Sequence, residues 1–304
     1  MTPESTARRC PVCDSGPDRA TLFVDETVDP TRITSFSFAS RKEPEYMSHR
    51  MVRCLGCDLV YVDRPPRQDE LAHAYHQAEY DSSEEANDAA LAYIQAIAPT
   101  LARLPDHASA LEIGTGTGVF LEHLQRAGFK RLEGVEPSSA AIASAPAHRR
   151  AWIRESIFVE EDFEPESFNL VCCFMTMEHV LDPGQIARSV MRLLRPGGAF
   201  VTVTHDHRSL VNRAMGKRSP IIDIEHMQLF STPSARRLFE ACGYHDVSVN
   251  AFSNRYALNY WMRLMPLPAP LKRAASATLS GLGLGALKVS LNVGNTITAG
   301  FKPS

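Results

Sequence analysis

The sequence predicts a doubly wound α/β protein, in which a mostly parallel, seven-stranded sheet carries helices on both faces and follows a small four-cysteine ribbon. Three observations predict it. From about Ala110 onward, short apolar runs alternate with helical patterns; the first run ends in a glycine-rich turn, with an acidic residue closing the next run; and two Cys-x-x-Cys pairs precede them all. The expected division is a ribbon module over residues 1–66 and the sheet domain over 67–304.

The 304 residues suit one α/β domain plus a small accessory unit, and 44% apolar with 22% charged residues excludes a disordered or fibrous chain. A net charge of −3 gives no global attraction to nucleic acid. The start of the chain is polar, without a secretory pattern, and the longest weakly apolar stretch, 274–287, is too short to span a membrane. Seven cysteines with four in pairs fit a reducing compartment, so a cytoplasmic protein is expected.

Cys10-Pro-Val-Cys13 and Cys54-Leu-Gly-Cys57 each offer two thiolates from one tight turn, and four thiolates complete a closed tetrahedron suited to structural Zn²⁺. The competing reading is four unrelated free cysteines. Apolar and β-branched runs at 21–24, 33–38 and 59–62 are expected to be the ribbon strands. Arg32, Arg41, Lys42 and Arg50 between the knuckles are balanced by Asp25, Glu26, Asp29, Glu43 and Glu45, so a grip on phosphates would be weak.

In the sheet domain, 110–113 reads as a buried strand, Gly114-Thr-Gly-Thr-Gly118 as a tight turn and 119–127 as a helix closed by Gly128. Three glycines at alternate positions let the backbone turn sharply and approach a ligand. The spacing is G-x-G-x-G, not the G-x-G-x-x-G whose helix N-terminus takes a pyrophosphate. The second strand, 132–135, ends in Glu136, placed to accept ribose hydroxyls. Glu112 adds negative charge beside the turn, which repels a pyrophosphate and suits a cationic sulfonium and ammonium ligand, favouring S-adenosylmethionine over NAD.

With Leu-Glu-Ile-Gly-Thr-Gly-Thr-Gly at 111–118, Gly-Val-Glu-Pro at 134–137 and Leu-Arg-Pro-Gly-Gly at 194–198, the chain from about 75 to 302 resembles the class I methyltransferases. The resemblance implies that Gly114, Thr115, Gly116 and Gly118 line the methionine part of the cofactor and that Glu136, followed by Pro137, holds the ribose. It places Ser156 and Ile157 at the adenine and Phe174, at the end of the fourth strand, beside the cofactor. It also implies that Tyr75 and Tyr80 close over the cofactor, against which stands ordinary helix packing. Phe168-Asn169 stands where the family pattern has Phe-Asp.

Methyl transfer needs alignment, a dry pocket and, for a hydroxyl or carbon nucleophile, a base. His179 follows the fourth strand at the carboxyl edge, where ligands bind in open sheets. Glu225-His226 follows the fifth, ahead of a helix with Thr232 as expected N-cap, and Glu225 or Asp223 could orient the imidazole; the competing reading is an exposed loop pair. With the ribbon, these features resemble the sugar C-methyltransferases, where the matching Glu-His pair abstracts a proton beside a keto group. Their additional C-terminal domain is not expected within 304 residues, and Asp223 replaces their usual tyrosine; related short members act on hydroxyls.

The expected acceptor is therefore a small polyhydroxylated molecule, a saccharide, nucleotide-linked sugar or natural-product intermediate, methylated on carbon or oxygen. The alternatives are an RNA base methyltransferase using the ribbon to hold RNA, and a non-catalytic cofactor-binding or zinc-scaffold protein.

Ile186, Val190 and Leu193 mark a sheet-covering helix over 184–195, as Ala235, Leu238, Phe239 and Cys242 do further on, and Cys172 and Cys173 read as inert core. A sixth strand at 247–252 and a seventh at 296–301 leave 254–295 as an insertion, read as helix, turn and helix, forming a substrate wall or a homodimer face. Gly281-Leu-Gly-Leu-Gly285 follows no strand and is rejected as a nucleotide loop.

Overall fold

The computed structural model describes residues 7–34, 36–39, 45–79, 83–265 and 267–304. The ribbon comprises β1 (Ala20–Val24), β2 (Met51–Cys54) and β3 (Val60–Val62), paired antiparallel in that order. The expected strand at 33–38 is not one. Its described residues fold into a turn in which the Ser37 hydroxyl accepts from Thr34 N (3.0 Å) and the Thr34 hydroxyl from Phe36 N (3.2 Å). Such side-chain hydroxyls offer the backbone an alternative to a ladder. The second ribbon strand is instead β2, leading into the second knuckle.

Helices α1 (Gln68–His76), α2 (Ser83–Ala96) and α3 (Ala98–Leu101) connect the ribbon to the sheet. Then follow β4 (Ser109–Ile113), α4 (Val119–Arg126), β5 (Arg131–Glu136), α5 (Ser139–Ser144), α6 (Ala147–Arg150) and β6 (Ile153–Glu155). Next come β7 (Phe168–Phe174), α7 (Pro183–Leu193), β8 (Leu194–His205), α8 (Leu210–Met215), β9 (Gln228–Leu229), α9 (Thr232–Ala241) and β10 (His245–Ala251). The chain closes with β11 (Asn254–Ala257), α10 (Leu258–Leu264), α11 (Ala269–Gly281), β12 (Lys288–Leu291) and β13 (Asn295–Phe301).

The large sheet has the order β10-β13-β8-β7-β4-β5-β6, with the central strands parallel and β13 antiparallel to both neighbours. This is the doubly wound, seven-stranded sheet that resemblance to the class I methyltransferases implies. One face packs α2, α4 and the insertion through Tyr93, Phe120, Leu124 and Trp261; the other packs α7 and α9 through Val190, Leu193, Leu238 and Phe239. Cys172 and Cys173 are fully buried in β7, and burial holds both thiols well above their ordinary range. The insertion does contain two helices, and β11 and β12 clasp its base as an antiparallel pair that the sequence reading lacks.

Three local details differ from expectation or explain a departure. The N-cap of α9 is Ser231, not Thr232: Ser231 and Ser234 form a reciprocal capping box, which places Thr232 and Pro233 inside the first turn. Asn169, where the family pattern has Asp, is 2% exposed and its amide oxygen accepts from the backbone N and the hydroxyl of Ser109, both at 3.2 Å. A neutral amide fulfils that role without burying a charge. The helix expected to run to 195 stops at Leu193, and the 195–198 segment is a bulge at the start of β8.

That bulge depends on Gly198, where a Cβ would lie 2.9 to 3.2 Å from three backbone carbonyls, those of Arg195, Asn169 and Phe168. Replacing Gly198 with Ala should therefore lower stability by about 1–3 kcal/mol, read as a reduced urea midpoint at unchanged slope. An unchanged midpoint would show that the bulge relaxes freely.

Candidate active site

A cavity of about 440 Å³ opens at the carboxyl edge of the sheet, lined by the glycine turn, the ends of β5 and β7, the loops after β7 and β8, α1, and the insertion. The turn is built on β4. Gly114 N and Thr115 N both donate to the Val135 carbonyl (2.9 and 3.1 Å), which folds the turn back over β5. Gly116 has φ +55, and a Cβ built there meets nothing within 4 Å. This bare stretch of backbone faces open space, so a ligand can approach it closely.

Glu136 ends β5, and its two carboxylate oxygens accept from Gly116 N and Ser138 N, each at 2.8 Å. Those bonds fix the carboxylate while each oxygen keeps a second lone pair. Burial raises the Glu136 pKa above the ordinary carboxylate range. Glu112, 4% exposed, accepts from the Thr115 hydroxyl at 2.5 Å, and burial, with Glu136 nearby, pushes its pKa up to about 8. The described lining contains six carboxylic residues, Glu79, Glu112, Glu136, Asp182, Asp223 and Glu225, and no Lys or Arg. Such a cavity attracts a cation and repels a pyrophosphate.

Three histidines, His179, His205 and His226, also line the cavity. Nδ1 of the buried His226 lies 2.8 Å from the Ile221 carbonyl. A carbonyl only accepts, so Nδ1 carries the proton and Nε2 is the basic nitrogen of the neutral ring. The Ile221 carbonyl thus fixes the tautomer of the ring. The Asp223 carboxylate accepts from Ile224 N (3.0 Å) and from Glu45 N of the ribbon loop (3.3 Å). The His179 ring stands 4.8 Å from that of His226, centroid to centroid. Its Nδ1 lies 2.9 Å from the Tyr75 hydroxyl and 3.2 Å from the Glu225 carbonyl, to which Tyr75 donates at 3.1 Å. The loop carrying His179 begins at Met175, a non-glycine residue at φ +52, a strained conformation that its surroundings must enforce.

The two histidine loops form one hydrogen-bonded body with the ribbon. Met227 N and Gln228 N donate to the Glu178 carbonyl (2.7 and 3.2 Å), and the Gln228 amide donates to the Met177 and Val180 carbonyls. β9, two residues beyond His226, is the fourth strand of the ribbon sheet, with Val60 opposite Leu229 and Tyr61 opposite Gln228. The expected boundary after residue 66 is thus bridged by a β-ladder. Arg8 reinforces it: its guanidinium donates to the carbonyls of Val62 (2.7 Å), Leu181 (2.6 Å) and Met227 (3.3 Å). Burial lowers the Arg8 pKa to about 10, which leaves it charged at neutral pH.

Of the other expected residues, Pro137, Ser156, Ile157 and Phe174 all line the cavity, and Tyr80 lies outside the described residues. Gly118, expected at the cofactor, is not in the lining: it turns toward α6 and β6, where a Cβ would lie 3.3 Å from Arg149 and Ile153, so its role is to let the helix pack. Sequence reasoning missed the Ile221 carbonyl, Arg8, Gln228, and the part of α1 beside Tyr75; a carbonyl or a lone arginine carries no pattern. The aromatic wall of Tyr256, Tyr260 and Trp261 was signalled only by the apolar content of the insertion. At the ribbon, the Sγ atoms of Cys10, Cys13, Cys54 and Cys57 all lie within 4.8 Å of one another, with Cys10–Cys57 and Cys13–Cys54 at 3.5 Å. Four thiolates around a tetrahedral ion with bonds of about 2.3 Å sit roughly this far apart, so the set can hold a metal.

A family model described as a methyltransferase domain matches residues 83–249, more than half of the chain. Ubiquinone biosynthesis O-methyltransferase of Ralstonia nicotianae is 32% identical over 145 residues, 45% of this chain and 58% of the relative. The protein of the same name from Neisseria meningitidis serogroup A is 32% identical over 111 residues, 34% of this chain and 47% of the relative. The chain thus spans about half the length of these curated relatives. Among solved structures, a SAM-dependent methyltransferase from Archaeoglobus fulgidus aligns at a TM-score of 0.49 and 15% identity, over 70% of this chain and 94% of that one.

The raised pKa of Glu112 makes stability depend on pH. The carboxyl ionises near its ordinary 4.5 when unfolded and near 8 when folded, so the penalty for burying it is absent in acid and grows as pH rises between those values. Glu112→Gln should therefore gain on the unaltered protein by about 1–3 kcal/mol between pH 5.5 and 8.5, in urea unfolding without ligand. Parallel stability curves for the two proteins would contradict this.

Proposed function

We propose, starting from the fact that the chain belongs to the methyltransferase domain family, that it transfers the methyl group of S-adenosylmethionine to a hydroxyl oxygen of a small-molecule acceptor, with His226 as the base. The observation that carries the reading is one cavity that holds, among the described residues, both a lining of carboxylates with no Lys or Arg and an imidazole whose tautomer leaves Nε2 basic. The acidic lining fits a ligand bearing a sulfonium and an ammonium, and the bare backbone at Gly116 fits its close approach.

S-adenosylmethionine supplies an electrophilic methyl group when bound. Gly114, Thr115 and Gly116, with Glu112 behind them, would hold its methionine end. Glu136 and Pro137 would hold the ribose, Ser156 and Ile157 the adenine, and Phe174 would exclude water. The Nε2 of His226 takes the acceptor's hydroxyl proton as the oxygen is methylated, and the ring passes it to solvent afterwards. His179, held beside Tyr75 and the Glu225 carbonyl, positions the acceptor. Cys10, Cys13, Cys54 and Cys57 would hold Zn²⁺ in a closed shell with a structural role, which suits a reducing, cytoplasmic setting.

The aromatic wall of the insertion suits an acceptor with an apolar body, and the names of the curated relatives favour oxygen as the methylated atom. A second reading, carbon methylation of a keto sugar, is favoured by the likeness of Glu225-His226 to the sugar C-methyltransferases, and the same base would serve it. A panel of hydroxylated aromatics, simple glycosides, nucleotide-linked keto sugars and structured RNA, offered with S-adenosylmethionine bearing a deuterated methyl group, separates the readings by mass. We expect label on an oxygen of a small molecule and, in His226→Ala, turnover reduced by about 10²–10⁴ with cofactor affinity unchanged. Full turnover by the folded variant would remove His226 as base, and label on RNA would overturn the acceptor class.

A further inference from the structure

We infer that the insertion between β10 and β13 docks the protein on an anionic lipid surface. The charge of the chain is unevenly divided. Residues 247–304 hold six of the 32 basic side chains and none of the 35 acidic ones, so that stretch carries +6 while the rest, with 26 basic against 35 acidic, carries −9. Lys288 and Lys302 are answered by Asp88 and Glu166, but Arg255 and Arg273 are exposed, and Arg263 and Lys272 lie in the same segment.

Apolar exposure concentrates in this segment too. Among the described residues, sixteen large hydrophobic side chains are exposed, and seven of them fall between Met265 and Leu291. Leu271 precedes Lys272 and Arg273 on α11; Leu282 and Leu284 stand in a glycine-flanked turn just beyond it, with Leu287 following. Exposed leucines beside cations, with no carboxylate in the segment, form the pattern of a surface that sinks into lipid headgroups. No helix among the described residues is long and apolar enough to cross a membrane, so the contact is interfacial.

Charge decides the occupant. A second copy would set cations against cations across the apolar face, and a polyanion such as RNA would answer the cations while leaving the leucines in water. An anionic bilayer satisfies both at once, and the inference does not depend on the catalytic reading.

The full chain is tested by flotation with phosphatidylcholine vesicles, with and without phosphatidylglycerol. It should float only with the anionic vesicles and be released as salt is raised. Two variants, Leu282→Ser with Leu284→Ser and Leu287→Ser, and Lys272→Glu with Arg273→Glu, should each lower the bound fraction by about tenfold or more while the urea unfolding midpoint, the check of the fold, stays unchanged. The salt series on the unaltered chain decides the matter if a variant misfolds. Absence from anionic vesicles, equal binding to both vesicle types, variants that bind as the parent does, or self-association in place of vesicle binding would overturn the inference.

Discussion

A two-residue strand holds the candidate base in place. β9 begins two residues after His226 and completes the ribbon sheet, while the backbone N–H groups of Met227 and Gln228 converge on the Glu178 carbonyl, next to His179. A loop of this kind would otherwise be among the mobile parts of an α/β domain. Arg8 seals the junction: a charged donor shared among the Val62, Leu181 and Met227 carbonyls is worth more than a neutral one, about 1.5–3 kcal/mol per bond. The thiolate cluster fits this scheme. Cys10, Cys54 and Cys57 pack in the same core as Val171, Phe200 and Phe230, so whatever fixes the knuckles also fixes the edge on which the loop leans.

Against that rigid edge the cavity is electrostatically one-sided. Glu112 and Glu136 are both buried and both pushed towards the neutral form, a cost to the empty protein that a cationic ligand would turn into affinity. The basic excess lies elsewhere, in the insertion, whose inner residues line the cavity and whose outer ones are leucines and arginines. One chain therefore presents a cation-seeking interior and an anion-seeking exterior, a division that its net charge of −3 conceals.

Much of this fold and its candidate site was legible before the structure. The strand and helix periods, the glycine turn, the acidic residue ending the second strand and the cysteine pairs all express local physics, and their residues lie where that physics requires. Two of the misread segments share a cause: hydroxyl side chains at Thr34, Ser37, Ser231 and Ser234 bond to nearby backbone, which periodicity does not register. The Ile221 carbonyl that sets the His226 tautomer was invisible because every residue has a carbonyl. Arg8 was invisible because its three partners are brought together only by the fold. Asn169 reads as an unexplained departure until its neighbour Ser109 is seen.

The claim that the ribbon holds the base-bearing loop is tested most directly by amide hydrogen exchange on the unaltered chain and on Arg8→Ala. The account predicts faster exchange in the variant at Met227, Gln228 and the 177–181 segment, with β4 and β5 as protected as before. Equal protection of the 227–229 segment in both proteins would contradict it, and would mean that the loop holds its shape without the Arg8 bonds.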